Sequence, residues 1–226
     1  MLKTSLNRLY SLLLKRYGLQ SWWPVSFSQG QNRKLEIMLG AILTQNTAWK
    51  NVELALANLS CARVLSWKKL HYIPQHKLTK LIRPAGYYNQ KAGYIKNLVK
   101  KSLKGPWQNN DSLADLRQYF LSIKGIGEET ADSILLYALG KPIFVVDAYT
   151  RRLFSRFGFI PLKATYTAIQ DFVQQSLTLQ GNKIKLYQEF HALIVRHNKE
   201  YCHPKPRCEK CFLKKQCRFY QISSNN

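Results

Sequence analysis

The sequence predicts an all-α protein. Apolar residues recur at helical spacing along most of its 226 residues. Short breaks of Gly, Pro, Ser and Asn separate these periodic segments, as they separate helices in compact domains. The β-like stretches at 145–146 and 157–160 are too short to build a sheet. We therefore expect helices joined by short turns.

The periodic segments define the candidate helices in chain order. The first carries leucines at helical spacing and stops at Gly18. No acid precedes Glu36, which gives this terminus a superficial likeness to a transit peptide, but the leucine spacing favours an ordinary amphipathic helix. The candidate helices are 4–17, 33–46, 48–59, 63–70, 76–82, 88–103, 111–121, 128–139, 147–157, 165–179 and 182–199.

The charge of the chain limits its partners. Lys and Arg number 35 against 12 Asp and Glu, which gives a net charge of +23. Such a field concentrates polyanions, so nucleic acid is the first partner to consider and a membrane surface the second. The best apolar run, 134–146, is broken by Gly140, Lys141 and Pro142 and falls short of the roughly 20 residues of a membrane span. We expect no membrane partner.

A Gly-Ile-Gly sequence at 125–127 lies between two periodic segments. Together with Asp147, about 20 residues later, it superficially matches a dinucleotide-binding fingerprint. Two features exclude that fold. The preceding segment 111–123 has the period of a helix rather than a strand, and Thr130 stands at the third glycine position. The predicted arrangement is helix, glycine turn, helix.

Such a hairpin can bind a phosphate. Gly125 and Gly127 let the backbone N–H groups around Ile126 approach it closely, while the second helix adds the positive end of its dipole. Lys124 adds a charge beside the turn. These contacts would position DNA without reading its bases. A plain αα-hairpin without a ligand is the alternative, and the net charge favours DNA.

Four of the five cysteines lie near the end of the chain, with the spacing C-x5-C-x2-C-x5-C: Cys202, Cys208, Cys211 and Cys217. This clustering indicates a metal site in a reducing, cytoplasmic compartment rather than disulfides. Four thiolates bind zinc or a [4Fe–4S] cluster. Zinc ribbons usually present two C-x2-C pairs, so the single central pair favours the cluster. The same loop is rich in cations that could contact phosphates: Lys205, Arg207, Lys210, Lys214, Lys215 and Arg218.

Four motifs together resemble one family. They are I-K-G-I-G-E-E-T-A-D-S-I at 123–134, V-V-D-A-Y-T-R-R-L at 145–153, L-G-A-I-L-T-Q-N-T at 39–47 and G-Y-Y-N-Q-K-A at 86–92. They resemble the helix-hairpin-helix DNA glycosylases of the endonuclease III superfamily, and the resemblance spans most of the chain.

The resemblance implies two helical lobes that flank a groove for damaged double-stranded DNA. One lobe would be 28–141, ending in the hairpin, and the other 1–27 together with 142–226. The superfamily has a C-terminal [4Fe–4S] loop similar to 202–217, commonly with six residues in the first gap where this chain has five. We expect a nucleoid-associated monomer.

The resemblance also implies a reaction. Asp147 becomes the candidate catalytic carboxylate, which would stabilise the cationic sugar as the base departs and orient the attacking water. Asp is equally a favoured helix N-cap, and the two roles can coexist. Bifunctional members carry a lysine where this chain has Glu129, and a carboxylate cannot form a Schiff base. The resemblance thus implies a monofunctional glycosylase.

The two adjacent acids, Glu128 and Glu129, lie in the predicted first turn of the second hairpin helix, where the dipole stabilises acids. Glu129 also matches a pocket-facing family position, where it would attract a cationic base. Trp22, Trp23 and Trp49 could stack on such a base, although core packing is the commonest use of tryptophan.

The motifs W-W-P, L-T-Q-N-T and G-Y-Y-N-Q-K-A are similar to those of bacterial 3-methyladenine glycosylases, whose best-known form lacks the cysteines. Gln45 and Tyr87 match positions that insert into DNA at the vacated base, or they serve as a surface amide and a core aromatic. The alternatives are a bifunctional endonuclease III-like enzyme, a thymine or uracil mismatch glycosylase, and a non-catalytic DNA-binding module.

Overall fold

A computed structural model describes residues 5–20, 27, 31–104 and 111–223 of the chain. Helices dominate, and no strand occurs within these ranges, so the predicted all-α class is confirmed. Val145 and Val146 lie in an irregular segment. In the part of the chain that is described, no helix combines the length and the apolar character that crossing a membrane requires.

The α-helices follow one another with short connections. In chain order they are α1 (Leu6–Tyr17), α2 (Gln31–Leu43), α3 (Trp49–Cys61), α4 (Trp67–Tyr72), α5 (Gln75–Leu81), α6 (Tyr88–Lys104), α7 (Leu113–Leu121), α8 (Glu128–Ser133), α9 (Ala148–Phe157), α10 (Tyr166–Ser176), α11 (Lys183–Glu200) and α12 (Arg218–Ser223). Short 3₁₀ turns occur at Arg83–Ala85, Cys208–Lys210 and Lys214–Gln216, and a π-helical segment at Ile134–Ala138 follows α8.

Side-chain caps explain where many of these helices begin. Each capping side chain accepts a hydrogen bond from a backbone N–H of the first turn, which satisfies a donor that the helix leaves unpaired. Removing one such cap typically costs about 1 kcal/mol. The caps are Ser5 for α1, Ser66 for α4, Ser112 for α7, Asp147 for α9, Thr165 for α10 and Asn182 for α11.

Four predicted helices differ from those observed by three or more residues at one end. The helix expected at 165–179 ends at Ser176. The helix expected at 33–46 ends at Leu43, because 44–47 forms a turn in which Asn46 has a φ of 52°. The helix expected at 63–70 begins only after the Ser66 cap. The helix expected at 128–139 is α-helical to Ser133 and π-helical beyond it. Periodicity located these helices, but local turns and caps decide their ends.

The chain divides into two compact units. One is Trp23–Lys141, here called the hairpin unit, and the other is Met1–Trp22 with Pro142–Asn226, here called the cysteine unit. The sequence-based division placed the first boundary later, before residue 28.

The hairpin unit is organised around α2, whose apolar face packs against α3, α6 and α8. Leu35, Met38, Leu39 and Ile42 on this helix are fully buried. Replacing one such leucine with alanine would cost about 2–5 kcal/mol. Lys91 of α6 is buried in the same unit, an unusual position for a lysine.

The core of the cysteine unit is aromatic. Phe190 of α11 lies 5.9 Å from Phe144 and 6.0 Å from Phe154, measured between ring centroids. Tyr10 of α1 meets Phe190 edge to face at 5.6 Å. These contacts fix α1 and α9 against α11, and α9 is the helix that Asp147 caps.

Candidate catalytic and nucleic-acid-binding sites

The glycine turn between α7 and α8 depends on glycine at one position. Gly125 has a φ of 99°, and a Cβ atom there would lie 2.0 Å from Cδ1 of Tyr94. Both the left-handed backbone and the close approach of the ring therefore exclude a side chain. Ile126 is buried, whereas Lys124 and Gly127 are exposed. The structure thus presents Lys124 and part of the turn to solvent and anchors the rest.

A partly buried ion-pair network fastens α8 to α7. Arg117 donates from Nε to Asp132 Oδ1 at 2.8 Å and from Nη2 to Glu128 Oε1 at 3.3 Å. The pKa of Arg117 is raised mainly by its hydrogen bond to Asp132, so the guanidinium stays charged. Asp132 is fully buried, so breaking the pair would leave an uncompensated charge. Glu128 therefore has a role in holding the hairpin.

Glu129 differs from its neighbour. Its side chain lies on the exposed surface of the first turn of α8. Its backbone carbonyl accepts a hydrogen bond from Ser133 Oγ at 2.7 Å. Trp49 begins α3, where its indole Nε1 donates to Glu53 Oε1 at 2.9 Å. Trp22 and Trp23, the other predicted pocket rings, lie outside the described residues.

Gln45 is held against the hairpin. Its Nε2 donates to the carbonyl of Gly125 and to Thr130 Oγ1, each at 3.0 Å. The adjacent Asn46 is exposed at the tip of the turn, with its φ in the left-handed region. Asn46 is therefore more accessible than Gln45, although only Gln45 was predicted from the sequence to contact DNA.

Tyr87 projects from the protein. Its side chain is 64% exposed, which is incompatible with the core role considered from the sequence. Its φ of 44° is unusual for a residue with a side chain, and Gly86 before it has a φ of 66°. The exposed ring is available to a partner.

Asp147 is both a helix cap and a member of a buried pair. Its Oδ1 accepts from the backbone N–H of Thr150 at 2.7 Å, and its Oδ2 lies 3.3 Å from His191 Nε2. Burial raises the pKa of this carboxyl, but the attraction of His191 and the hydrogen bonds from His191 and Thr150 outweigh it and leave the pKa below its ordinary value. The carboxylate is thus ionised at neutral pH. His191 was missed because no local motif connects it with Asp147.

The four predicted metal ligands line one cavity, together with Arg156 and His197. Burial raises the pKa of the Cys211 thiol to about 11 and also raises the pKa of Cys208 and Cys217. Across the described ranges, no group of three or more His, Cys, Asp or Glu residues has an arrangement that could hold a metal ion. The four cysteines nevertheless line the same cavity.

Arg156 and His197 lie close to two of these sulfurs. Arg156 donates to Cys202 Sγ at 3.1 Å and to the carbonyl of His203 at 2.7 Å. His197 Nε2 lies 3.7 Å from Cys211 Sγ. Burial lowers the pKa of His197 to about 4, so its imidazole is neutral. A donor set of four thiols with cationic and N–H neighbours suits thiolate ligation.

The chain matches the HhH-GPD superfamily base excision DNA repair protein family over residues 39–178. It is 44% identical over 217 residues to a protein of Methanocaldococcus jannaschii named as a DNA repair glycosylase, covering 93% of this chain and 94% of that one.

Two solved structures are similar to this fold. The 3-methyladenine DNA glycosylase of H. pylori, bound to 1,N6-ethenoadenine, has a TM-score of 0.70 and 34% identity, covering 85% of this chain and 94% of that one. An endonuclease III trapped as a covalent intermediate with DNA has a TM-score of 0.78 and 18% identity, covering 95% of both chains. At that identity the second comparison shows the fold alone.

Gly125→Ala should destabilise the protein, because alanine meets both the left-handed backbone and the Tyr94 ring. Backbone strain alone should lower the free energy of unfolding by about 1–3 kcal/mol. Chemical denaturation measures the change.

Gly93→Ala is the matched control, since this glycine lies inside α6 and its added Cβ would meet nothing within 4 Å. It should raise the free energy of unfolding by about 0.5–1 kcal/mol. Equal effects of the two substitutions would contradict the account of the turn.

Proposed function

Because the chain belongs to the HhH-GPD superfamily of base excision DNA repair proteins, we propose that it is a monofunctional glycosylase for alkylated purines such as 3-methyladenine. Its DNA glycosylase activity follows from the family. The proposal concerns the base removed and the fate of the sugar. The observation that carries it is the pair of acidic groups at Asp147 and Glu129, with no amine at the second position.

Asp147 supplies the charge that the reaction requires. When the glycosidic bond breaks, its electron pair leaves with the base and the sugar becomes cationic. An ionised carboxylate stabilises that cation. Thr150 and His191 bind the two oxygens of Asp147, but each carboxylate oxygen can accept a further hydrogen bond, so one can still orient water. His191 is a positioning residue in this scheme.

Water completes the reaction. Its oxygen adds to the anomeric carbon, and its proton passes to Asp147 or solvent, leaving an abasic sugar in an unbroken strand. A lyase would need an amine to attack the same carbon. Glu129 cannot do so, and Lys124 lies before the glycine turn. The monofunctional outcome follows from these residue types.

A cationic base suits these groups. 3-Methyladenine carries positive charge, so its glycosidic bond breaks without strong acid catalysis. Glu129 would attract it, and the rings of Trp22, Trp23 and Trp49 would stack on it through cation–π contacts. The H. pylori relative supports this class, since it is a 3-methyladenine glycosylase bound to a modified adenine.

Base release without strand cleavage is the expected result with duplexes that carry a single lesion. Labelled DNA containing 3-methyladenine should break only after alkali or heat. Asp147→Asn should keep DNA affinity and lose on the order of 10²-fold or more in kcat, because the substitution removes the charge and preserves the shape. Release of only uracil, thymine or oxidised pyrimidines would refute the substrate class.

Borohydride trapping separates the mechanism from the endonuclease III-like alternative. Wild-type protein should give no covalent adduct with damaged DNA. Any adduct gained by Glu129→Lys is measured against Glu129→Gln, which provides no amine. A strong wild-type adduct would show that another amine attacks the sugar, with Lys124 the first residue to replace. Tight binding without release of any base would leave the non-catalytic module.

We further propose that the four cysteines hold a [4Fe–4S] cluster. The fit rests on four thiols that line one cavity and on their C-x5-C-x2-C-x5-C spacing, which has a single central C-x2-C pair. Zinc draws all four sulfurs to about 2.3 Å from one ion, whereas each cysteine of a cubane binds a separate iron. When bound, the cluster would cross-link the loop and hold its cations in place.

Iron content and colour test the cluster. Protein purified anaerobically should be brown, absorb broadly at about 400 nm and contain about four irons. Cys211→Ser should lower the iron content sharply. Cys61→Ser is the control, because Cys61 is exposed on α3, and it should leave the iron content unchanged. Stoichiometric zinc without iron would refute the cluster.

Salt dependence tests the role of the charge. Affinity for undamaged duplex should fall by about 10³-fold between 50 and 200 mM salt if about six phosphates are bound. Lys215→Gln removes an exposed cation and should reduce the salt slope by about one unit. Lys214→Gln is the control, because Lys214 is half-buried and pairs with Glu209 at 3.5 Å, so its effect should be smaller. A flat salt dependence would contradict the proposed phosphate contacts.

A further inference from the structure

Lys91 of α6 is a fully enclosed cation with two backbone partners. Its side chain is 1% exposed, and its Nζ donates to the carbonyl of Leu43 at 2.8 Å and to that of Ala85 at 2.7 Å. Burial lowers the pKa of its ammonium to about 8. A lysine is costly in such a place unless its hydrogen bonds are satisfied.

Each of the two carbonyls lies directly before a surface segment that is a candidate for DNA contact. Leu43 is the last residue of α2 and directly precedes the turn 44–47. Ala85 ends a 3₁₀ turn and directly precedes 86–87. One ammonium group therefore fixes the starting points of two surface segments that are far apart in the sequence.

Both segments contain a residue with a left-handed backbone. Asn46 has a φ of 52° and Tyr87 a φ of 44°, in the region that residues with side chains rarely adopt. Both side chains are exposed. Such conformations persist only where the surroundings hold them, and they concentrate at functional positions. Lys91 binds the backbone immediately upstream of each.

The same face of α6 also supports the hairpin. Tyr94, three residues beyond Lys91, covers Gly125. Asn97, three residues further, donates from Nδ2 to the carbonyl of Lys124 at 3.0 Å. Residues at this spacing share one side of a helix. One stripe of α6 thus contacts all three segments of the hairpin unit that are candidates for DNA contact.

We propose that Lys91 is a positioning residue that sets the separation of the 44–47 and 86–87 segments, so that their exposed side chains enter the duplex together at the flipped nucleotide. The proposal rests on the proposed glycosylase function. Side chains that fill the gap left by a flipped base offset the cost of unstacking. The side chains of the two segments must therefore be held at the correct separation to enter the gap together. Loss of Lys91 would let each segment move independently.

Lys96 provides a matched comparison. It lies on the same helix, and its Nζ donates to the carbonyls of Leu70, His71 and Ile73 at the end of α4. Burial lowers its pKa as well. Its chemistry resembles that of Lys91, but its carbonyls adjoin no segment proposed to insert into DNA. A purely structural role would affect both lysines alike.

The test compares full-length Lys91→Met and Lys96→Met. The DNA carries a tetrahydrofuran abasic analogue opposite 2-aminopurine, whose fluorescence reports insertion without any base being released. Lys91→Met should abolish the fluorescence change. On a second duplex that carries 3-methyladenine, it should lower the single-turnover rate of base release on the order of 10²-fold. Affinity for undamaged duplex should stay within about three-fold, because phosphate contacts are retained. Lys96→Met should retain the insertion signal and the rate.

Lys91→Gln guards against a folding failure, since its amide can donate hydrogen bonds and should restore part of the insertion signal. Circular dichroism fixes a temperature at which all variants are folded. An insertion signal unchanged in Lys91→Met, or lost equally in both methionine variants, would overturn the proposal. So would a wild-type protein that gives no signal. Because insertion is measured without base release, a wrong substrate class would leave this result intact.

Discussion

The shortage of carboxylates governs how this chain arranges its charged groups. With 35 cations and 12 acids, most lysines and arginines cannot have an acidic partner. Inside the protein the alternative acceptor is the backbone carbonyl, which helix ends leave unpaired. Lys91 and Lys96 close helix ends in the hairpin unit, and Arg156 binds the carbonyls of His203 and Pro204 in the cysteine unit. The few acids are left for particular tasks.

The acidic residues differ in their partners and in their exposure to solvent. Asp132 and Glu128 share Arg117 and secure the hairpin. Asp147 is largely enclosed and kept ionised by His191 and a helix N-terminus, which suits the catalytic role proposed for it. Glu129 remains at the surface beside the glycine turn. Two adjacent acids in a strongly basic chain therefore have unrelated roles, one in the scaffold and one proposed for the substrate.

Local sequence patterns predicted those features that are determined by residues close together in the chain. Helical periodicity, the glycine turn at 125–127 and the Asp147 cap depend on residues close together in the chain. Contacts between distant residues could not be predicted in this way. His191 reaches Asp147 across 44 residues, and Tyr94 covers Gly125 only after α6 and the hairpin have packed. The burial of Lys91 could not be predicted either, because lysine is normally exposed and its two carbonyl partners are defined only by the folded structure.

The two classes of cation will respond differently to the medium. Charges at the surface are screened within about 10 Å at 0.1 M ionic strength, whereas buried ones are screened much less. Carbonyl acceptors also carry no titratable proton, so acid does not remove them. A concentrated salt wash should therefore weaken the phosphate contacts proposed for the exposed lysines and leave the Lys91 contacts in place. Salt should therefore affect the proposed phosphate contacts more strongly than it affects the internal hydrogen bonds of the protein.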